Sequence, residues 1–152
     1  MLSVNGISIV HTAHAPEAVV TLPAIATDTW NADDVLWYDE VNNVVKKMTD
    51  NLAASLNAIV GIATVNKLAG EDVAAVLQVV RIRAKITSVQ TGNTYGKAVV
   101  PTYATGKYTF AVSTAGACGH LVEHEPAQNA ITEIDLNLSV FGQKVQAFTA
   151  AV

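Results

Sequence analysis

Val35-Leu36-Trp37-Tyr38-Asp39-Glu40-Val41-Asn42-Asn43-Val44-Val45-Lys46-Lys47-Met48 is the stretch whose reading decides the fold. Two β-prone runs flank a polar tip whose asparagines tolerate positive φ, the pattern of a hairpin. The grammar returns from Val99, where Val99–Tyr103 and Tyr108–Val112 flank Gly106-Lys107. Glycine there meets the same backbone need as the asparagines. The first halves align with Val35 on Val99 (99 − 35 = 64), the second halves with Gly61 on Gly119 (119 − 61 = 58). A single deletion in the joint accounts for the change of offset. Each second half has a hydrophobic–Gly–hydrophobic step, a polar loop and a long alternating strand. Such an internal repeat governs the reading of the whole chain.

Working outward, Val80, Ile82, Ala84 and Ile86 alternate with Arg81, Arg83 and Lys85, and Ile134, Leu136, Leu138 and Val140 alternate with Asp135, Asn137 and Ser139. Period two places each set on one face of a strand. Short strands separated by turn signals predict an all-β chain: two tandem, duplicated small β-sandwich or barrel modules with an extended N-terminal arm. The expected divisions are an arm or edge strand (1–27), a first module (28–88), a linker (89–96), a second module (97–142) and a C-terminal strand or tail (143–152). In the leader, Asn5-Gly6 reads as a tight turn, and Pro16 and Pro23 restrict the chain to an edge strand or an arm. Fully extended, such an arm reaches about 80 Å and would embrace a neighbour. Folded back, it would add a terminal strand to its own sheet. The joint Asp50–Asn57 predicts one or two helical turns capped by Asp50.

The 152 residues are 51% apolar but only 14% charged, against about 25% in ordinary soluble domains. That deficit implies surface covered by a partner or by further copies. A net charge of −4 excludes a general nucleic-acid footprint. Residues 1–50 hold seven acidic and two basic groups, residues 51–90 two and four, a polarity suited to head-to-tail contact. Cys118 is the one cysteine, so neither an intrachain disulfide nor a multi-cysteine zinc site is expected. No secretory signal or apolar span is legible, which predicts assembly in the cytoplasm without membrane contact.

The sharpest chemical motif is His120-Leu121-Val122-Glu123-His124, an inverted zinc-peptidase pattern. It needs a helix, where residues four apart are about 5–6 Å from each other. On a strand they stand roughly 13 Å apart, and the repeat aligns this segment with the strand-like Ile62–Asn66. The motif is therefore read as strand, with a zinc hydrolase through His120, Glu123 and His124 as the remote alternative. No nucleophile elbow, phosphate loop or dinucleotide fingerprint is present, and no cofactor, metal site or catalytic residue is expected. Asp33-Asp34 and Asp39-Glu40 read as turn carboxylates, and Arg81, Arg83 and Lys85 as a basic stripe.

The unit from Asp33 to Val79 resembles the small decoration, or cement, proteins of tailed-bacteriophage capsids. The resemblance rests on a Val-rich strand entering a Tyr-Asp turn (Val35 to Asp39) and a Lys-bearing return strand (Val44 to Met48). It continues through Val60-Gly61-Ile62-Ala63 and Ala69-Gly70-Glu71 before a Val-rich strand; the second copy has Ala127-Gln128-Asn129 in place of the last turn. It implies a non-enzymatic virion protein on the outer capsid surface that cements neighbouring subunits against internal DNA pressure. The implied partners are the major capsid protein and the chain itself, homotrimer favoured and homodimer possible. A head-fibre, tail or baseplate module is the alternative. Expected capsid or subunit contacts are Val4, Ile7, Ile9, Val19, Val20, Leu22, Trp30, Arg81, Arg83 and Lys85.

Overall fold

A computed structural model describes residues 2–11, 17–88, 96–112, 118–122 and 126–138. In chain order the strands are β1 (Ile7–Ile9), β2 (Ala18–Pro23), β3 (Val35–Asp39), β4 (Val44–Lys47), β5 (Ile59–Ala63) and β6 (Val73–Lys85). They continue as β7 (Ala98–Ala104), β8 (Lys107–Val112), β9 (Gly119–Leu121) and β10 (Ile131–Asn137), and α1 (Ala53–Leu56) is one short turn of helix. All ten described strands belong to one antiparallel sheet, so the protein is all-β.

The strand order is β4-β3-β5-β6-β10-β9-β7-β8, with β1 and β2 also on β6. Matching β3–β6 with β7–β10 makes this order read the same from either end. The thirteen-residue β6 is the trunk. Leu77 and Val76 pair with β2 (Val19, Val20) and with β5 (Ile62, Ala63), so those strands occupy opposite edges. Val79 pairs with Ala18 and with Asn137, which puts β10 opposite β2 as well. Strands β5 and β10 thus follow one another along one edge of β6. Strand β1, opposite β10 at Ile82–Ala84, follows β2 along the other. Of the two roles open to the leader, its described residues take the second: both strands lie on the chain's own sheet.

The register between β2 and β6 slips where Ala18 faces Val79 but Val19 faces Leu77, leaving Gln78 as the extra residue. A one-residue bulge exchanges the faces of a strand. Before it, Ala74 and Val76 enter a smaller core with Ala24, Trp30, Leu36, Val45, Val60 and Ala63. After it, Val80, Ile82 and Ala84 enter a larger core with Ile7, Tyr108, Phe110, Leu121, Ile134 and Leu136. Strands β3 and β5 are covered on both faces: Val35, Ile59 and Ile62 serve the larger core, and Leu36, Val60 and Ala63 the smaller. Parallel bridges Ala24↔Val45 and Ile86↔Phe110 tie the end strands β4 and β8 back to the strands flanking them, so the sheet curls round at both ends.

Two glycines let the strands approach. A Cβ on Gly61 would lie 2.1 Å from the Leu77 carbonyl oxygen and 2.7 Å from Val76 Cγ1. One on Gly119 would lie 2.9 Å from the Asp135 oxygen and 2.9 Å from Ile134 Cγ2. The hairpin tips have positive φ at Asn43 and Gly106, as their composition implies, and also at Thr105, a β-branched residue that seldom adopts it. The helix cap differs from expectation. Leu52 holds the cap position without a side-chain bond, while Asp50 Oδ1 accepts from Leu52 N (3.0 Å) and Ser55 Oγ (2.8 Å). Asp50 closes the turn from two residues further out because Leu52 is still extended, with ψ 151°.

Candidate functional site

The ribbon of β6 with its edge partners carries most of the residues singled out in the sequence. In its C-terminal half the outward positions are Arg81, Arg83 and Lys85, facing Asp135, Glu133 and Ile131 on β10. Arg81 makes a two-pronged contact, Nε to Asp135 Oδ1 at 2.7 Å and Nη2 to Oδ2 at 2.9 Å. Arg83 Nε donates to Glu133 Oε2 at 3.1 Å. The basic stripe is thus met by acidic neighbours on the next strand. Opposite charges across a ladder stabilise the pair of strands, so these arginines are already engaged within the chain.

In the N-terminal half of the ribbon the corresponding face is uncharged. Val19, Thr21 and Pro23 on β2 stand opposite Leu77, Ala75 and Val73 on β6. Val19 and Val73 are more than half exposed, 54% and 53%. Val20 and Leu22, on the other face of β2, pack against the smaller core. Val4 is the most exposed large apolar residue described, at 91%. Ile7 is fully buried and Ile9 packs against the larger core.

Trp30 lies inside the chain. Its backbone exchanges hydrogen bonds with Lys67, and the Lys67 ammonium sits 5.5 Å from its ring centre. That ammonium is buried and donates to the carbonyls of Asp28 (2.6 Å), Leu68 (3.4 Å) and Ala26 (3.5 Å). Hydrogen bonds from a charged donor are about twice as strong as neutral ones, and these lock the loop before β3 to the loop before β6.

The acidic turns serve the backbone. Buried Asp34 accepts from Asn5 Nδ2 and Asn31 N, both at 2.9 Å, with Lys47 Nζ at 3.5 Å. Asp33 has its carboxyl pushed above the ordinary range by burial. Asp39 is held down at about 2, first by Asn42 Nδ2 (2.7 Å) and then by Lys46 Nζ (2.9 Å). Burial pushes the Cys118 thiol up to about 12.

His120 lies exposed on β9, facing Asp135 and Ala98 across the ladder. Glu123 and His124, the rest of the zinc-peptidase pattern, lie outside the described residues, as do Val140 and the tail 143–152. Among the described residues no three of His, Cys, Asp and Glu are grouped to hold a metal ion. No described helix is long and apolar enough to cross a membrane.

The sequence reading missed the partners of the arginines, although acidic residues at 133 and 135 repeat the spacing of the basic ones at 81 and 83. It also missed Thr21, Pro23, Val73 and Ala75, whose exposure depends on which strand lies beside β2. Compared with known proteins, the chain matches neither a family model nor a curated sequence.

Proposed function

We propose that the chain is a virion structural protein that binds the outer surface of an assembled tailed-phage capsid and cements neighbouring capsid subunits. Within this reading it is built from two copies of one small β unit. The carrying observation is that the residues bearing the resemblance act on backbone shape rather than on a reaction. Gly61 admits the Leu77 carbonyl. Gly70, at φ 99°, turns a loop that Glu71 closes by accepting from Leu68 N. Asp39 closes the β3–β4 hairpin by accepting from Val41 N at 3.0 Å.

Registers support the duplication. The pair Trp37↔Lys46 recurs as Pro101↔Phe110, both members 64 residues on. The pair Ile62↔Leu77 recurs as His120↔Asp135, both members 58 on. The glycine approaches follow the same shift, Gly61 on Leu77 and Gly119 on Asp135. Hydrogen-bond register follows chain geometry, so it preserves a repeat after side chains have diverged. A rigid β body with few charges suits repeated weak contacts on a symmetric lattice, where multivalency multiplies modest affinities.

The test is to image particles made with and without this chain and to measure whether purified protein sediments with expanded shells. Stoichiometric density on the outer shell is the expected result. Density at the tail or baseplate would replace this reading with the alternative, and failure to bind any particle would remove both.

A further inference from the structure

The charged side chains of the sheet are mostly engaged within the chain. Lys46 and Lys47 pair with Asp39 and Asp34, Arg81 and Arg83 with Asp135 and Glu133, and Lys67 is buried. The ion-pair ladder of β6 and β10 then stops at its third rung, where Lys85 faces Ile131 instead of an acid. Lys85 is exposed, and so is Lys107 at the start of β8. Among the described residues neither has an ion-pair partner. The two line one cavity of about 140 Å³ together with Leu2, Val4 and Thr109. The leader turn links them, because the Asn5 carbonyl accepts from Tyr108 N while Ile7 pairs with Ala84. Their apolar neighbours, Val4 beside the cavity and Ile131 across the ladder, are 91% and 52% exposed.

The opposite charge is left over before the first residue of β6. Adjacent acidic residues occur at Asp33-Asp34, Asp39-Glu40 and Glu71-Asp72. Asp34 and Asp39 are buried and paired with lysines. Glu71 and Asp72 are both exposed and make no ion pair among the described residues. Glu71 Oε1 accepts from Leu68 N at 2.6 Å, which fixes the loop and leaves its charge unneutralised. Leu68 and Val73, on either side, are 65% and 53% exposed. The thirteen residues of β6 set this loop about 40 Å of extended strand from Lys85.

We propose that the cavity at Lys85 and Lys107 receives the Glu71-Asp72 loop of a second copy of this chain, head to tail. A second copy fits because the chain carries both halves of the contact. One half is two unpaired lysines flanked by exposed apolar side chains, and the other is two unpaired carboxylates flanked likewise. Apolar contact with a polar surround is the usual make-up of a protein interface, and complementary charge fixes its register. The two halves are different surfaces, so the contact is heterologous and extends to a ring or an open chain of copies. The proposal is independent of the capsid reading, because it concerns the chain alone.

The test is sedimentation of the full chain against concentration at low salt, where attraction between exposed charges is least screened. Wild type is expected above the 15.9 kDa of one copy, growing with concentration and falling back as salt is raised. Lys85→Glu with Lys107→Glu, and separately Glu71→Lys with Asp72→Lys, place like charges across the contact. Each raises the dissociation constant at least about tenfold, while the circular dichroism of the fold is retained. Asp72→Lys alone, which keeps the bond from Leu68 N to Glu71, acts in the same direction. Lys97→Glu, the same change at an exposed lysine outside the cavity, leaves association unaltered. Mixed in equal amounts, the two double variants associate again, one offering carboxylates at both surfaces and the other ammonium groups at both. A monomeric wild type, association indifferent to salt or surviving either double variant, an equal loss in Lys97→Glu, or a mixture that stays monomeric overturns the proposal.

Discussion

Replacing Gly61 by alanine tests the close approach of β5 to β6. The added Cβ would stand 2.1 Å from the Leu77 carbonyl oxygen, whereas carbon and carbonyl oxygen normally meet at about 3.3–3.6 Å. The obstacle is backbone, so no rotamer change relieves it; the strands must separate by about 1 Å or more, judged against that contact distance. Their ladder is only the pairs Ile62↔Leu77 and Ala63↔Val76. Overpacking costs about 1–3 kcal/mol, and the positive φ of Gly61, 154°, adds about 1–2 kcal/mol for a residue with a Cβ. The sum is about 2–5 kcal/mol, a large part of the roughly 5–15 kcal/mol that holds a domain together. In urea, with a slope of about 2 kcal/mol/M, the midpoint falls by about 1–2.5 M. Gly119→Ala is the internal control. Its nearest obstacle, Leu136 Cδ2 at 2.6 Å, is the end of a side chain, and the Asp135 oxygen is 2.9 Å away. The overpacking cost alone applies, about 1–3 kcal/mol. A Gly61→Ala midpoint within about 0.5 M of wild type, a shift worth about 1 kcal/mol, or a larger effect at Gly119, would refute the reasoning.

Three further outcomes are expected. Because the Asp39 carboxyl is depressed to about 2 in the folded chain, it contributes stability that is complete above about pH 4 and is lost as pH falls toward 2; acid titration of Asp39→Asn by circular dichroism should lack that part of the pH dependence. The buried Cys118 thiol, at about 12, should resist a chromogenic thiol reagent at pH 8 until denaturant is added, and rapid native-state labelling would contradict the burial. Lys67→Met keeps the length of the side chain but leaves the Asp28, Leu68 and Ala26 carbonyls without its ammonium; the cost is about 2–3 kcal/mol, read as a fall in melting temperature of about 4–12 °C.

Alternation was the legible part of the sequence. Val80, Ile82, Ala84 and Ile86 are all fully buried, because a strand with one covered face must repeat every two residues. The hairpins were legible through their turn residues, since few side chains tolerate positive φ. The smaller core was not. It depends on the bulge at Gln78, and nothing in Leu77-Gln78-Val79 announces an extra residue. The place of the leader was equally hidden, because Val19 to Pro23 reads the same whether its partner is its own β6 or another chain. Lys67 looks like a loop residue, and only three converging carbonyls explain its burial. Of the contact residues expected, Val4 and Val19 are well exposed, Ile7 and Trp30 are internal, and Arg81 and Arg83 are engaged by β10.

The position of β6 also sets an order of events during synthesis. Its neighbours come from far apart in the chain: β2 some fifty residues earlier and β10 some fifty later. Pairings that span long loops form slowly. As the chain leaves the ribosome, β1 can cover one edge at Ile82–Ala84, while the other edge waits for residues 131–137. Until they arrive, Val80, Ile82 and Ala84 have only part of their core. Truncation after the β7–β8 hairpin should therefore yield an aggregating chain, and the last of the described strands is the one that renders the trunk safe.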